Sequence, residues 1–203
     1  MAERRRPKPY RQGTLDSLCG IYAIINAIRC VQGDRHTRLK GRELFAMVLR
    51  HAERQIPLAQ LITEGIEPTP LWRTAKAAIR EFNATHGASI KVDRPYLKTP
   101  PMSIEALHAA FAEEFKTTPH VFIVSLEGKY DHWTVVYRVT GRSFMLCDSD
   151  GLHRLGSDQC TTDADKLKNH HQIHLIRTTF TIQLRNDFKL QNSSLKYCLP
   201  ESI

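Results

Sequence analysis

The sequence predicts an α+β protein in which N-terminal helices pack on a C-terminal antiparallel sheet. Three observations lead there. Helical periodicity fills the first half of the chain and strand patterns fill the second. From Ile21 to Val31 the apolar residues cover nearly every face of one helix, the mark of a helix buried at the centre of a fold. His120 to Leu126 is a β-branched apolar run of the kind a fully buried strand carries, and a hairpin pattern follows it.

The elements follow in order. Residues 1–10 hold Arg4, Arg5, Arg6 and Lys8 among prolines and read as a flexible basic arm. Asp16 and Ser17 are helix-capping types, because their side-chain oxygens accept orphan backbone N–H groups. Cys19 then falls in the first turn of the apolar helix. Gln32 to Arg35 is a turn. Glu43 to Arg54 is amphipathic, with Leu44, Met47 and Val48 on one side and His51 read as a surface residue beside charges. Residues 56–70 read as a loop. Leu71 to His86 carries Leu71, Ala75, Ala78, Ile79 and Phe82 at helical spacing. A short strand over Ala88 to Val92 and a proline-rich connection to Pro101 follow. Ser103 caps a third helix running to about Phe115. The hairpin strands are Trp133 to Val139 and Phe144 to Cys147, turning at Thr140-Gly141-Arg142. Residues 156–170 read as a loop, and His171 to Leu184 as one strand or as two broken at Thr178-Thr179. Residues 186–203 are a polar tail, so one domain spans 11–185.

The chemistry concentrates at three places. A thiol at the N-terminus of a helix meets the positive end of the dipole and free N–H groups, which favour the reactive thiolate. Gln12, seven residues before Cys19, lies on the loop feeding that helix, where its amide is placed to donate to an oxyanion. His132 begins the first hairpin strand and Asp148 ends the second, and antiparallel pairing brings those ends together. An acid beside an imidazole fixes its tautomer and stabilises the imidazolium, which in turn holds a thiolate. His153 is the rival base and Asp150 the rival acid. Asp148 is preferred because a ladder fixes its direction, whereas Asp150 sits in a Ser-Asp-Gly turn where Asp is common for turn reasons alone. Trp133 reads first as a core aromatic and second as a lid over the His–Asp pair. His170, His171, His174 and Cys160 have no zinc-ligand spacing, so no metal and no cofactor is expected.

At 203 residues, with 41% hydrophobic and 25% charged, the composition is that of a globular protein with a sizeable core. No stretch approaches the roughly 20 apolar residues of a membrane span. The basic N-terminus is followed by no apolar segment, so no secretory signal is expected. Five cysteines in no framework spacing fit free thiols in a reducing cytoplasm. Net charge is +8. Its basic residues are dispersed and not interleaved with aromatics, which makes a nucleic-acid module the weaker reading.

Gln12, Cys19, His132 and Asp148, on a thiol-bearing helix followed by a hairpin, resemble the papain-like cysteine peptidase superfamily. Leu18-Cys19 opening an apolar helix and His132-Trp133-Thr134-Val135 resemble the Josephin deubiquitinases. Asp16, Cys19-Gly20, His132 to Val136 and the turn Asp148-Ser149-Asp150-Gly151 resemble the bacteriocin-leader (C39-like) peptidases. The resemblance covers roughly Arg11 to Leu155. The papain-type C-G-[SA]-C-[WY] signature is absent, since Ile21-Tyr22 follow Cys19-Gly20. It implies a papain-like catalytic domain acting on a peptide or isopeptide bond through a Cys19-His132-Asp148 triad and a thioester, with Gln12 in the oxyanion hole. The implied partner is a protein or peptide, ubiquitin-like by the Josephin likeness and a Gly-Gly leader by the C39 likeness. Two alternatives stand beside it. One is an acyl transferase of transglutaminase type using the same triad. The other is a non-enzymatic adaptor whose basic surface binds acidic partners.

Overall fold

A computed structural model of the chain describes residues 8–100, 102–117, 119–128, 130–162, 171–174 and 179–184. Its elements are α1 (Cys19–Gln32), α2 (Arg38–Glu53), α3 (Leu58–Glu64), α4 (Pro68–His86), β1 (Ile90–Asp93), α5 (Ile104–Thr117), β2 (His120–Glu127), β3 (His132–Thr140), β4 (Ser143–Leu146), β5 (Arg154–Gly156), β6 (Cys160–Thr161), β7 (His171–His174) and β8 (Phe180–Leu184). Short 3-10 turns cover Gly33–Arg35 and Ser157–Gln159.

The strands form one sheet in the order β1-β8-β2-β3-β4-β5, with antiparallel pairing along that path. The expected strand over His171 to Leu184 resolves into β7 and β8. Both pair the same edge of β2, β8 along His120–Ile123 and β7 along Ser125–Glu127. β6 and β7 make a short parallel pair.

The helices pack on the antiparallel sheet as expected, and they do so on both of its faces. α1, α2 and α4 cover one face, against Val121, Ile123, Trp133, Val135, Tyr137, Phe180 and Ile182. α5 covers the other, setting Leu107 and Phe111 against Phe122, Val124, Val136 and Phe144. Phe111 and Phe122 stack with ring centroids 3.7 Å apart. Alternate residues of β2 therefore enter two different cores. That is why its sequence is apolar at consecutive positions rather than alternating with polar ones.

Local chemistry accounts for the other departures. α2 starts at Arg38, five residues before the expected Glu43, because Thr37 accepts from Lys40 N–H at 3.3 Å and caps it. The expected loop over 56–70 contains α3, a helix short enough that Leu61 is its one buried residue. α4 begins at Pro68, a residue suited to a first helical turn, and ends on Gly87 in the left-handed region. Tyr10, at the end of the expected flexible arm, is fixed. Its N–H donates to Asn26 Oδ1 at 2.7 Å, its carbonyl accepts from Asn26 Nδ2 at 3.0 Å, and Arg29 stacks over its ring. The remainder of the arm up to residue 7 and the tail over 186–203 lie outside the described residues.

Candidate active site

α1 begins at Cys19 itself, so the thiol stands on the first residue of a helix whose body is buried in the core. The residue at the cap is Leu18, and no side chain caps this end. The two residues expected to cap it are used elsewhere. Asp16 accepts from Gly13 N–H at 2.8 Å and from Leu18 N–H at 3.2 Å, and the Ser17 hydroxyl donates to the Thr63 carbonyl at 3.1 Å. They shape the loop instead. The first-turn N–H groups have no intrahelical partner and face the thiol's end of the helix, where they favour an anion. Gly20 allows the helix to start this deep. A Cβ there would lie 2.6 Å from Ile66 Cγ2 and 3.3 Å from the Trp133 ring.

His132 is the first residue of β3, across from Leu126 of β2. Asp131 precedes it at φ 41°, a left-handed turn that Asp tolerates better than most side chains. Asp148 reaches His132 through a bulge. The β3–β4 register is Arg138↔Met145 but then Val136↔Leu146, so Tyr137 is an inserted residue. Cys147 N–H donates to Val135 O at 2.9 Å, which carries the shifted register one pair further. Continued once more, it sets Asp148 across from Thr134, on the same side of the ribbon as His132. Without the inserted residue Asp148 would stand across from Val135 and point to the opposite side.

The result is a carboxylate with its acceptor positions taken up. Asp148 Oδ2 lies 2.7 Å from His132 Nε2, and Oδ1 accepts from the N–H groups of Asp150 at 2.9 Å and Leu152 at 3.0 Å. Asp148 is 1% exposed and His132 8%. Nε2 is committed to the carboxylate, and the imidazole's other influence is the Cys19 thiol, whose sulfur lies 4.0 Å from the Ser17 carbonyl. Burial opposes the charged imidazole, but the hydrogen bond to Asp148 and the influence of Asp148 and Cys19 outweigh it. They raise His132 from 6.5 to about 10. For Asp148 too burial opposes the charge, and the His132 hydrogen bond and charge overcome it, lowering the carboxyl below its ordinary value.

These shifts predict a pH signature. A raised histidine stabilises the fold fully below its unfolded value of 6.5 and loses that contribution as pH climbs to about 10. A lowered carboxyl stabilises above its unfolded value of 3.8 and loses that as pH falls further. The Tm advantage of the wild-type protein over Asp148→Asn is therefore expected to be greatest between those two unfolded values, and to shrink toward pH 10. Thermal melts across that range check it, and a difference that does not change with pH would remove the ion pair.

Gln12 lines the same cavity as the thiol. Its N–H donates to the Ser149 carbonyl at 3.3 Å, and its side-chain Oε1 accepts from the Ser149 hydroxyl at 3.1 Å. With Oε1 held by the sheet, the amide NH2 is the end left to face the cleft. Ser149, 3% exposed, is the positioning residue that sequence reasoning missed. A serine next to an acid in a turn carries no signal of its own.

Cys19, His132 and Gln12 line a cavity of about 360 Å³, walled by the α3–α4 turn on one side and the β2–β3 turn on the other. Trp133 belongs to the core rather than to a lid. It is 7% exposed, stacks on Phe180, and its indole N–H donates to the Ile66 carbonyl at 3.0 Å, tying the helical wall to the sheet. His153, the rival base, is exposed and lies outside the cavity lining. Asp150 lines the cavity but is exposed, and its backbone, not its carboxylate, meets Asp148. His51, expected at the surface, is largely covered and meets Glu81 at 2.7 Å, joining α2 to α4. Among the described residues no group of three His, Cys, Asp or Glu is arranged to hold a metal. His170 and Cys198 lie outside those residues.

No family model and no curated protein sequence matches the chain. Among solved structures it is similar to the peptidase domain of Streptococcus ComA, a bi-functional ABC transporter involved in a quorum-sensing pathway. The identity is 10%, over 89% of this chain and 100% of that one, with a TM-score of 0.47. It is also similar to the Pseudomonas avirulence protein AvrPphB, at 13% identity over 81% of this chain and 89% of that one, with a TM-score of 0.35. No helix among the described residues is long and apolar enough to cross a membrane.

Proposed function

We propose that this chain is a papain-like cysteine peptidase or isopeptidase in which Cys19 is the nucleophile, His132 the acid–base and Asp148 the group that orients it. One observation carries the reading: a buried His132–Asp148 pair at 2.7 Å whose imidazole lines the same cavity as Cys19, the first residue of α1.

The steps follow from the placement. The Cys19 sulfur attacks the scissile carbonyl carbon, and the carbonyl oxygen takes the negative charge. The Cys19 N–H and the Gln12 amide are the donors placed for that oxyanion. The His132 imidazolium gives its proton to the departing amine, and the C–N bond breaks to leave a thioester on Cys19. Neutral His132 then takes a proton from water, the hydroxide oxygen attacks the thioester, and the thiolate departs. Asp148 keeps its charge throughout and holds Nε2–H. The four cysteines of the described residues are free thiols, which fits a reducing compartment such as the cytoplasm.

An acyl transferase begins with the same acylation and differs only in what resolves the thioester. Product analysis separates the two. On a peptide or ubiquitin-type substrate the expected products are a free carboxylate and an amine, with the carboxylate still dominant when millimolar lysine or putrescine is added. Quantitative amide formation with the added amine would assign the chain to transfer instead. Absence of any turnover, equal to that of Cys19→Ala, would favour the adaptor.

A further inference from the structure

The chain as a whole is basic, at +8, yet the cleft holding Cys19 is acidic. Asp16, Glu64, Glu67, Glu127, Asp131 and Asp150 line it, and no lysine or arginine among the described residues does. The carboxylates stand on both walls. Glu64 and Glu67 flank the turn from α3 to α4, Glu127 ends β2 and Asp131 precedes β3, and Asp150 sits in the turn after Asp148. Glu64, Glu67, Asp131 and Asp150 are exposed, so they act on whatever enters rather than supporting the fold. A concave site of one sign focuses its field and concentrates the opposite charge. The sign here is opposite to that of the whole chain, so it is a property of the cleft.

A second feature lies on the segments that carry Asp16 and Glu64. Leu15 is 95% exposed and Ile62 37% exposed. Their segments are tied together, with Ser17 N–H donating to the Ile62 carbonyl at 2.7 Å. Leu58 lies four residues before Ile62 on α3 and is 41% exposed. Leu39 and Leu97 are the other large hydrophobics so open among the described residues.

We infer that the cleft takes an extended peptide segment carrying lysine or arginine next to the bond presented to Cys19, with a neighbouring apolar side chain resting on Leu15 and Ile62. The inference rests on the proposed peptidase function in presenting a bond to Cys19, while the ligand's charge follows from the walls alone. The backbone of such a segment needs no particular sequence, since the oxyanion donors read only the carbonyl. Its basic side chains meet Glu64 and Glu67 on one wall or Asp131 and Asp150 on the other. The aliphatic stems of lysine and arginine also suit a shelf of leucine and isoleucine. An acidic or phosphorylated segment would enter against the field.

The experiment reads the cleft with and without turnover. Cys19 is titrated with two thiol reagents of opposite charge, trimethylammonioethyl and sulfonatoethyl methanethiosulfonate, each rate normalised to a small free thiol. The cationic reagent is expected to be favoured at Cys19 by roughly tenfold at low salt, an advantage that falls with ionic strength and on Glu64→Gln/Glu67→Gln. In parallel, peptides differing only in Lys, Ala or Glu beside the cleavage site are compared for kcat/KM. The Lys peptide is expected to lead and the double variant to erase most of its lead, while an Asp131→Asn variant shows which wall faces it. Cationic preference in the reagents without hydrolysis of any peptide refutes the peptidase reading and leaves the ligand class standing. Hydrolysis with no preference for Lys over Glu, and equal normalised reagent rates, refutes the ligand class and leaves the peptidase.

Discussion

Cys19→Ala is expected to abolish hydrolysis while leaving the fold intact, and His132→Ala to lower it by about a thousandfold, the scale of a lost acid–base group. The same His132 variant should lose the selective reactivity of the thiol. In the wild-type protein at neutral pH the imidazole, raised to about 10, is an imidazolium, and it lines the same cavity as the sulfur. Brief iodoacetamide treatment followed by mass-spectrometric mapping should therefore find carboxamidomethylation at Cys19 first. Two of the other thiols are shut away from solvent. Cys147 is 1% exposed and Cys160 5%, and burial, with Asp158 beside it, pushes the Cys160 thiol up to about 12. Removing one sulfur at position 19 leaves the packing of Ile21, Ile24, Ile25 and Ile28, each at most 1% exposed, untouched. So the Cys19→Ala protein should melt close to the wild type. Equal labelling of Cys19, Cys30, Cys147 and Cys160, or a His132→Ala protein with unchanged turnover, would remove the nucleophile and its base together.

What the sequence made legible is what local patterns control. The apolar helix from Cys19, the buried strand from His120 and the two ends of the hairpin are each written in a few consecutive residues. The parts it hid depend on what packs against them. α3 was hidden because a single buried residue, Leu61, gives no period, and Pro57 and Gly65 bound it like a loop. The caps were misread because Asp16 and Ser17 are the right residue types one and two positions too early, and the loop had other uses for them. The second core needed α5 to cross to the far face of the sheet, and no spacing within α5 says which face it covers. The acidic cleft is hidden by averaging. A chain of net +8 gives no hint that residues 16, 64, 67, 127, 131 and 150 converge. Nor do Arg138, Met145, Val136 and Leu146 announce that Tyr137 is inserted between their pairs.

That inserted residue decides between the two acids. Across β3 the shifted register puts the backbone of residue 150, not 148, nominally opposite His132, so a ladder alone would nominate Asp150. The chain leaves the ladder first. At Asp148 it turns, and the turn is closed by Asp148 itself, whose Oδ1 takes the N–H groups of Asp150 and Leu152. The Asp150 carboxylate is thereby swung out to the cleft mouth, while Asp148 reaches His132 diagonally at 2.7 Å. Asp148→Ala is accordingly expected to lower kcat/KM by about a hundredfold or more, close to 2.7 kcal/mol of barrier at 1.36 kcal/mol per tenfold. Asp148→Asn keeps one oxygen that can accept from the ring N–H, but its NH2 then faces the N–H groups of Asp150 and Leu152, so it should retain part of the activity at a cost in stability. Asp150→Ala removes a charge from the mouth without touching the imidazole, and its loss should be many times smaller than that of Asp148→Ala on a peptide without lysine or arginine. Kinetics of the three variants on one such fluorogenic peptide, with thermal melts to separate folding from chemistry, make the comparison. Severe loss in Asp150→Ala beside near-normal turnover in Asp148→Ala would mean that the ladder runs on past Cys147 without the turn, and Asp150 would then be the residue that orients His132.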